Sequence, residues 1–153
     1  MTARHDCSRR RFLTVLGASS VAGIASGCSA DPAEPEQFGT VSAGNVADLP
    51  EGTLRVIDGA PAYIGRDAGG VYAMTSTCPH EGCDMIAEGS VNASGVYCAC
   101  HGSRFDANGS VQAGPADKPL AHFAVEIGDD GEITVHGESQ VSASMRTVAE
   151  PTG

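Results

Sequence analysis

At 153 residues, with 41% hydrophobic residues, no tryptophan and a net charge of -10, the chain is expected to hold one small domain and no separate catalytic one. Residues 1 to 28 carry four of the nine Arg and Lys and one of the nineteen acids, so the rest holds five bases against eighteen acids, a net of -13. Such a surface excludes nucleic acid as a partner and suits either a basic protein partner or simple solubility.

In chain order, residues 1 to 30 read as a targeting segment. Ser8-Arg9-Arg10-Arg11-Phe12-Leu13 resembles the twin-arginine export motif and is followed by an apolar stretch of sixteen residues to Gly27. Three endings stay open. Ala25-Ser26-Gly27-Cys28 is similar to a lipobox, which would make Cys28 a lipidated first residue. The stretch could be retained as an anchor, although a span prefers roughly 20 apolar residues. Cleavage after Ala30 would release a soluble protein. Residues 31–37, acidic and Pro-rich, read as a linker that lets a head domain move.

From Phe38 the pattern changes to short β-rich runs broken by Gly, Asp, Asn and Pro. Strands are expected at 39–41, 53–57, 62–66, 71–75, 95–98, 122–127 and 133–136, with turns at Asp58-Gly59, Asp67-Ala68-Gly69-Gly70 and Asp129-Asp130-Gly131. No stretch has sustained helical periodicity. The expected fold is an antiparallel all-β domain over 38–137 with a small, aromatic-poor core. Residues 138–153, rich in Ser, Glu and Thr, read as a disordered tail.

Two loops interrupt this pattern. The first is Cys78-Pro79-His80-Glu81-Gly82-Cys83; fourteen residues later comes Cys98-Ala99-Cys100-His101-Gly102-Ser103. Each supplies a Cys and a His at close spacing. Two thiolates and two imidazoles can hold a tetrahedral zinc or a 2Fe-2S cluster. Structural zinc sites usually take like pairs, Cys with Cys and His with His, whereas each loop here mixes the two types. A zinc-stapled binding module stays open as the non-redox reading.

The pair of loops resembles the Rieske signature, C-x-H-x-G-C with C-x-C-H-G-S, and Phe105-Asp106, Gly109 and Gly114-Pro115-Ala116 resemble that family's turn and proline loop. The resemblance implies a β-sandwich base with a small two-loop cluster-binding subdomain. It implies Cys78, His80, Cys98 and His101 as ligands of a 2Fe-2S cluster. Cys83 and Cys100 would then remain, one per loop, for a disulfide stapling the loops together. Histidine ligation raises potentials to about -150 to +300 mV, against about -400 mV for plant-type ferredoxins. Ser103 would donate a hydrogen bond to a bridging sulfide. Phe105 stands where high-potential members carry a Tyr, and Glu81 follows His80 where quinol-oxidising members carry an apolar residue. Both departures argue for a lower potential and against an apolar quinone pocket. His122 and His136 match no ligand position.

What the resemblance implies is a one-electron carrier rather than a self-sufficient enzyme, exported and anchored at the outer face of the cytoplasmic membrane or free in the periplasm. It could be a standalone carrier or the iron-sulfur subunit of a respiratory oxidoreductase. Its partners would be a cytochrome c, a cytochrome bc-type complex or a molybdenum oxidoreductase. The quinol-oxidising subunit of a quinol:cytochrome c reductase, with quinol as a further partner, is the alternative. Cytosolic ferredoxins and oxygenase components conflict with the export motif and the disulfide pair.

Overall fold

The computed structural model describes residues 33–148. The export motif, Cys28 and the anchor stretch therefore lie outside the described residues. The described chain runs through β1 (Thr40–Asn45), β2 (Thr53–Val56), β3 (Ala62–Asp67), β4 (Gly70–Thr75), β5 (Gly89–Asn92), β6 (Gly95–Cys98), β7 (Arg104–Asp106), β8 (Val111–Ala113), β9 (His122–Ile127) and β10 (Glu132–Val141). They form a six-stranded sheet in the order β1-β10-β9-β4-β3-β2 and a four-stranded sheet in the order β5-β6-β7-β8. Every paired strand is antiparallel. The all-β fold is as expected; the sole helical piece among the described residues is a 3-10 turn, Val46–Asp48, capped by the Asn45 side chain, which accepts the Ala47 N–H at 2.9 Å.

β3 and β4 are the hinge of the architecture because they are buried on both faces. Ala62, Ile64, Val71 and Ala73 point into an aliphatic core with Phe123, Ile133 and Val135. Between them Tyr63, Tyr72 and Met74 point the other way, into a second core that includes Cys78, Met85, Cys98 and Phe105. Alternate side chains of one strand pair thus build the base and carry the loop subdomain. Each large side chain buried this way stabilises by about 1.5–3 kcal/mol. Close approach needs glycine at one cross-strand position: Gly65 faces Tyr72, and a Cβ there would run into the tyrosine ring.

Three strands of the smaller sheet were not expected: β5, β7 and β8 have three or four residues each and hold Gly, Ser, Asn, Arg, Asp and Gln. Their pairing comes from the hairpin partners, not from their own alternation. The expected disordered tail is corrected as far as residue 148. β10 continues to Val141, and Thr147 bridges to Val71. Arg146 ties this segment down, with Nε bonding Asp67 Oδ2 at 2.7 Å, Nη2 bonding Asn108 Oδ1 at 2.6 Å and the guanidinium 4.1 Å from the Tyr72 ring centre. The linker is also held where it is described: Ala33 N–H donates to Pro79 O at 3.1 Å and Glu36 N–H to Thr77 Oγ1 at 3.1 Å.

Candidate metal centre

The two cysteine-histidine loops share one backbone design. In the loop after β4, Cys78 N–H donates to Cys83 O and Gly82 N–H to Cys78 O, both at 2.9 Å; in the loop after β6, Cys98 N–H donates to Ser103 O at 2.9 Å and Gly102 N–H to Cys98 O at 3.0 Å. Each closure needs a left-handed residue four positions after the cysteine, and Gly82 and Gly102 supply it at φ +72° and +86°. Cys78 and Cys98 therefore occupy equivalent places, and both side chains turn into the second core.

The donor atoms sort into two pairs. Cys78 and Cys98 are free and buried in the same core. Burial, the largest influence, pushes the Cys78 thiol up; the nearby His80 N–H and Ser103 hydroxyl pull it back, and Cys98 adds to the rise. His80 and His101 face each other with ring centres 4.9 Å apart at 76°. Nδ1 of His80 is buried and makes no hydrogen bond, while Nε2 of His101 lies 3.4 Å from Glu81 Oε2 at the surface. Glu81, next to His80 in the sequence, thus reaches to the other loop's histidine. With both side chains substantially exposed, this contact contributes little stability.

Cys83 and Cys100 form a disulfide. Ser103 is fully buried, and its Oγ accepts the Ala116 N–H at 3.0 Å, which joins the second loop to the turn Gly114-Pro115-Ala116, where the Gly114–Pro115 peptide is cis. Phe105 pairs with Val96 across β6 and β7 in the same core as the two thiols. His122 and His136 sit elsewhere: His122 is buried against Tyr72 with Nδ1 on Leu120 O, and His136 contacts Glu126 and Glu138 on the base. Tyr63 is the residue of this neighbourhood that sequence reasoning missed; its signal was the alternation of β3, which sends it opposite to Ala62 and Ile64.

A single zinc binding all four donors at about 2.0–2.3 Å would need thiols and imidazoles packed together. Among the described residues, no group of three donors within 4.8 Å of one another mixes a thiol with an imidazole. Two sulfur donors on one side and two nitrogen donors on the other, one of them an orphaned buried Nδ1, suit a two-iron group.

The family model for the Rieske [2Fe-2S] domain matches residues 39–124. The chain belongs to this family. Its cofactor is a 2Fe-2S cluster and its chemistry is electron transfer. Similar proteins include the cytochrome b6-f complex iron-sulfur subunits of Synechococcus sp. (strain RCC307), 30% identical, and of Parasynechococcus marenigrum (strain WH8102), 31% identical; each match covers 80% of this chain and 81% of the relative. Among solved structures, the plasma-membrane Rieske protein of Synechocystis is 29% identical over 62% of this chain and 97% of its own, with a TM-score of 0.48. The ferredoxin of carbazole 1,9a-dioxygenase from Nocardioides aromaticivorans is 28% identical over 65% of this chain and 98% of its own, with a TM-score of 0.45.

Proposed function

We propose that Cys78 and Cys98 hold one iron of the Rieske cluster and that His80 and His101 hold the other through Nδ1. One observation carries this reading: the buried Nδ1 of His80 has no partner and shares its site with two free buried thiols, Cys78 and Cys98. Cys83 and Cys100 are spent in the disulfide. The cluster, when bound, supplies one-electron exchange.

The chain's own residues then do three things. The loop hydrogen bonds and the disulfide hold the donors in place, so little reorganises on electron transfer. Ser103, Phe105 and the Gly114-Pro115-Ala116 turn keep water from the sulfur side. The imidazole side reaches the surface, where His101 and Glu81 stand exposed, giving electrons a short way out.

The protein is an exported carrier, or an iron-sulfur subunit of a respiratory oxidoreductase, at the outer face of the cytoplasmic membrane. The arginine motif at Ser8 to Leu13 supports export, and a disulfide supports an oxidising compartment. The acidic surface favours a basic redox partner such as a cytochrome c. The second reading, a quinol-oxidising subunit, is supported by the likeness to cytochrome b6-f iron-sulfur subunits. The exposed Glu81 carboxylate beside His101 counts against it, because an apolar quinone pocket would have to bury that charge.

The test is spectroscopic and then kinetic. The assembled protein should show the visible absorption and reduced-state EPR of a Rieske cluster, lost in Cys98→Ser. It should reduce a basic cytochrome c faster than it accepts electrons from a quinol. A colourless zinc protein would end the ligand reading; fast quinol oxidation in its native complex would favour the second. Lys-Lys in place of Arg9-Arg10 should leave the precursor in the cytosol, and normal export of that variant would remove the twin-arginine route.

A further inference from the structure

The segment that reads as a free tether in the sequence is fastened to the first cysteine-histidine loop. Ala33 N–H donates to Pro79 O and Glu36 N–H to Thr77 Oγ1, both at 3.1 Å. These two acceptors stand on either side of Cys78. A third contact falls on the turn that closes the loop. A Cβ added at Gly82 would lie 3.4 Å from the Ala33 Cβ, and Gly82 is the residue whose N–H returns to Cys78 O.

The sequence prepares this docking. Prolines at 32 and 35 favour an extended chain with three residues per turn, which puts the N–H groups of positions 33 and 36 on one face. The stiffness of such a chain also lowers the entropy lost when it docks. The hold is nonetheless light. A cavity of about 140 Å³ is lined by Glu34 and Pro35 on the segment and by Thr75, Lys118 and Leu120 on the head, so the segment is pinned at two points and not packed along its length. Two neutral hydrogen bonds without a packed interface make an element that opens locally before the head unfolds.

We propose that residues 33–36 are a releasable strap on the first cysteine-histidine loop: docked, they hold the backbone around Cys78 closed over the metal group; released, they free that loop and return their own length to the tether. This rests on the assignment of Cys78 and His80 as ligands. Coupling of this kind is reciprocal: a loop ordered by its metal group holds the strap more tightly, and a loop without its strap releases the group sooner. The disulfide braces the same loop at Cys83, whereas the strap braces it around Cys78.

The test uses the assembled full-length protein and variants of the strap. Ala33→Pro combined with Glu36→Pro removes both donors and leaves every residue of the head in place. Glu34→Pro stiffens the same segment without removing an N–H that bonds the loop, and Thr77→Val removes one acceptor from the head side. In the wild type the amides of Ala33 and Glu36 should be protected from hydrogen exchange, more strongly with the cluster than without it. The double variant should lose iron to a chelator roughly fivefold faster, followed through the visible absorption, and should exchange faster at residues 80–83. Thr77→Val should show part of this effect and Glu34→Pro none. Amides at 33 and 36 that exchange like a free peptide, or iron release equal to wild type in the double variant, would overturn the proposal. A wild type that carries no cluster fails the ligand assignment and the strap with it; a loaded wild type with either of those two results rejects the strap alone.

Discussion

The fully buried Ser103 hydroxyl accepts the Ala116 N–H at 3.0 Å, which ties the second cysteine-histidine loop to the proline turn. Its oxygen is committed to the proline turn, so its proton is free for the sulfur side. Ser103→Ala should lower the midpoint potential in protein-film voltammetry. It should also reduce stability by about 1–3 kcal/mol, because the Ala116 amide is left buried without an acceptor.

Phe105 is 3% exposed and shares the core of Cys78 and Cys98. A hydroxyl added there would enter the core that holds the two free thiols. Phe105→Tyr should raise the midpoint potential, in the direction opposite to Ser103→Ala; an unchanged voltammogram would show that the added hydroxyl does not reach the site.

The Cys83–Cys100 disulfide closes a loop of 17 residues between the two cysteine-histidine loops. Chain entropy puts such a crosslink at about 3 kcal/mol. The double Cys83→Ser, Cys100→Ser variant should melt lower and bleach earlier on heating, followed through the visible absorption of the cluster. Equal melting and bleaching would mean that the shared backbone closure of the loops suffices.

Burial, the largest influence, holds His122 below the ordinary histidine range; the Leu120 carbonyl opposes this and Arg146 adds to it. A histidine that binds a proton less readily folded than unfolded contributes stability above its unfolded pKa of about 6.5, and that contribution is lost as the pH falls below it. Urea unfolding should show stability dropping by up to about 1.4 kcal/mol per pH unit on acidification past that point. His122→Gln should flatten this slope, and an equal slope in the variant would assign the acid loss to other groups.

Arg146 joins the C-terminal segment to both sheets, through Asp67 at the β3–β4 turn, Asn108 after β7 and the Tyr72 ring. Burial raises the Asp67 carboxyl somewhat, but the Arg146 hydrogen bond and charge and the Gly69 and Gly70 amides outweigh it and hold the group below its usual range. Asp67 is partly exposed, so its ion pair alone counts for little. The whole set should make Arg146→Ala cost about 1–2 kcal/mol and raise hydrogen exchange at Thr147 and Val71; protection equal to wild type would show that the β-bridge holds by itself.

The chemistry of this protein was legible in its residues because it is local. Six consecutive residues in each loop contain the thiols, imidazoles and turn glycines, and their mixed spacing argues against an ordinary zinc staple whatever the rest of the chain does. The strands that alternate or run apolar, such as 62–66 and 71–75, were legible for the same reason. β5, β7 and β8 were not, since strands of three or four residues carry too little pattern and exist only through their partners.

What tertiary structure decided depends on contacts between residues far apart in the chain. It set Cys83 against Cys100 and left Cys78 and Cys98 free, because two equivalent loop closures turn the first cysteine of each loop inward. It sent Glu81 to His101 rather than to His80. It held residues 142–148, too polar to anchor themselves, through one arginine bonded to Asp67, 79 positions away. It also placed Tyr63 in the core that holds the two free thiols, because burial of a strand on both faces gives its alternate side chains to different cores.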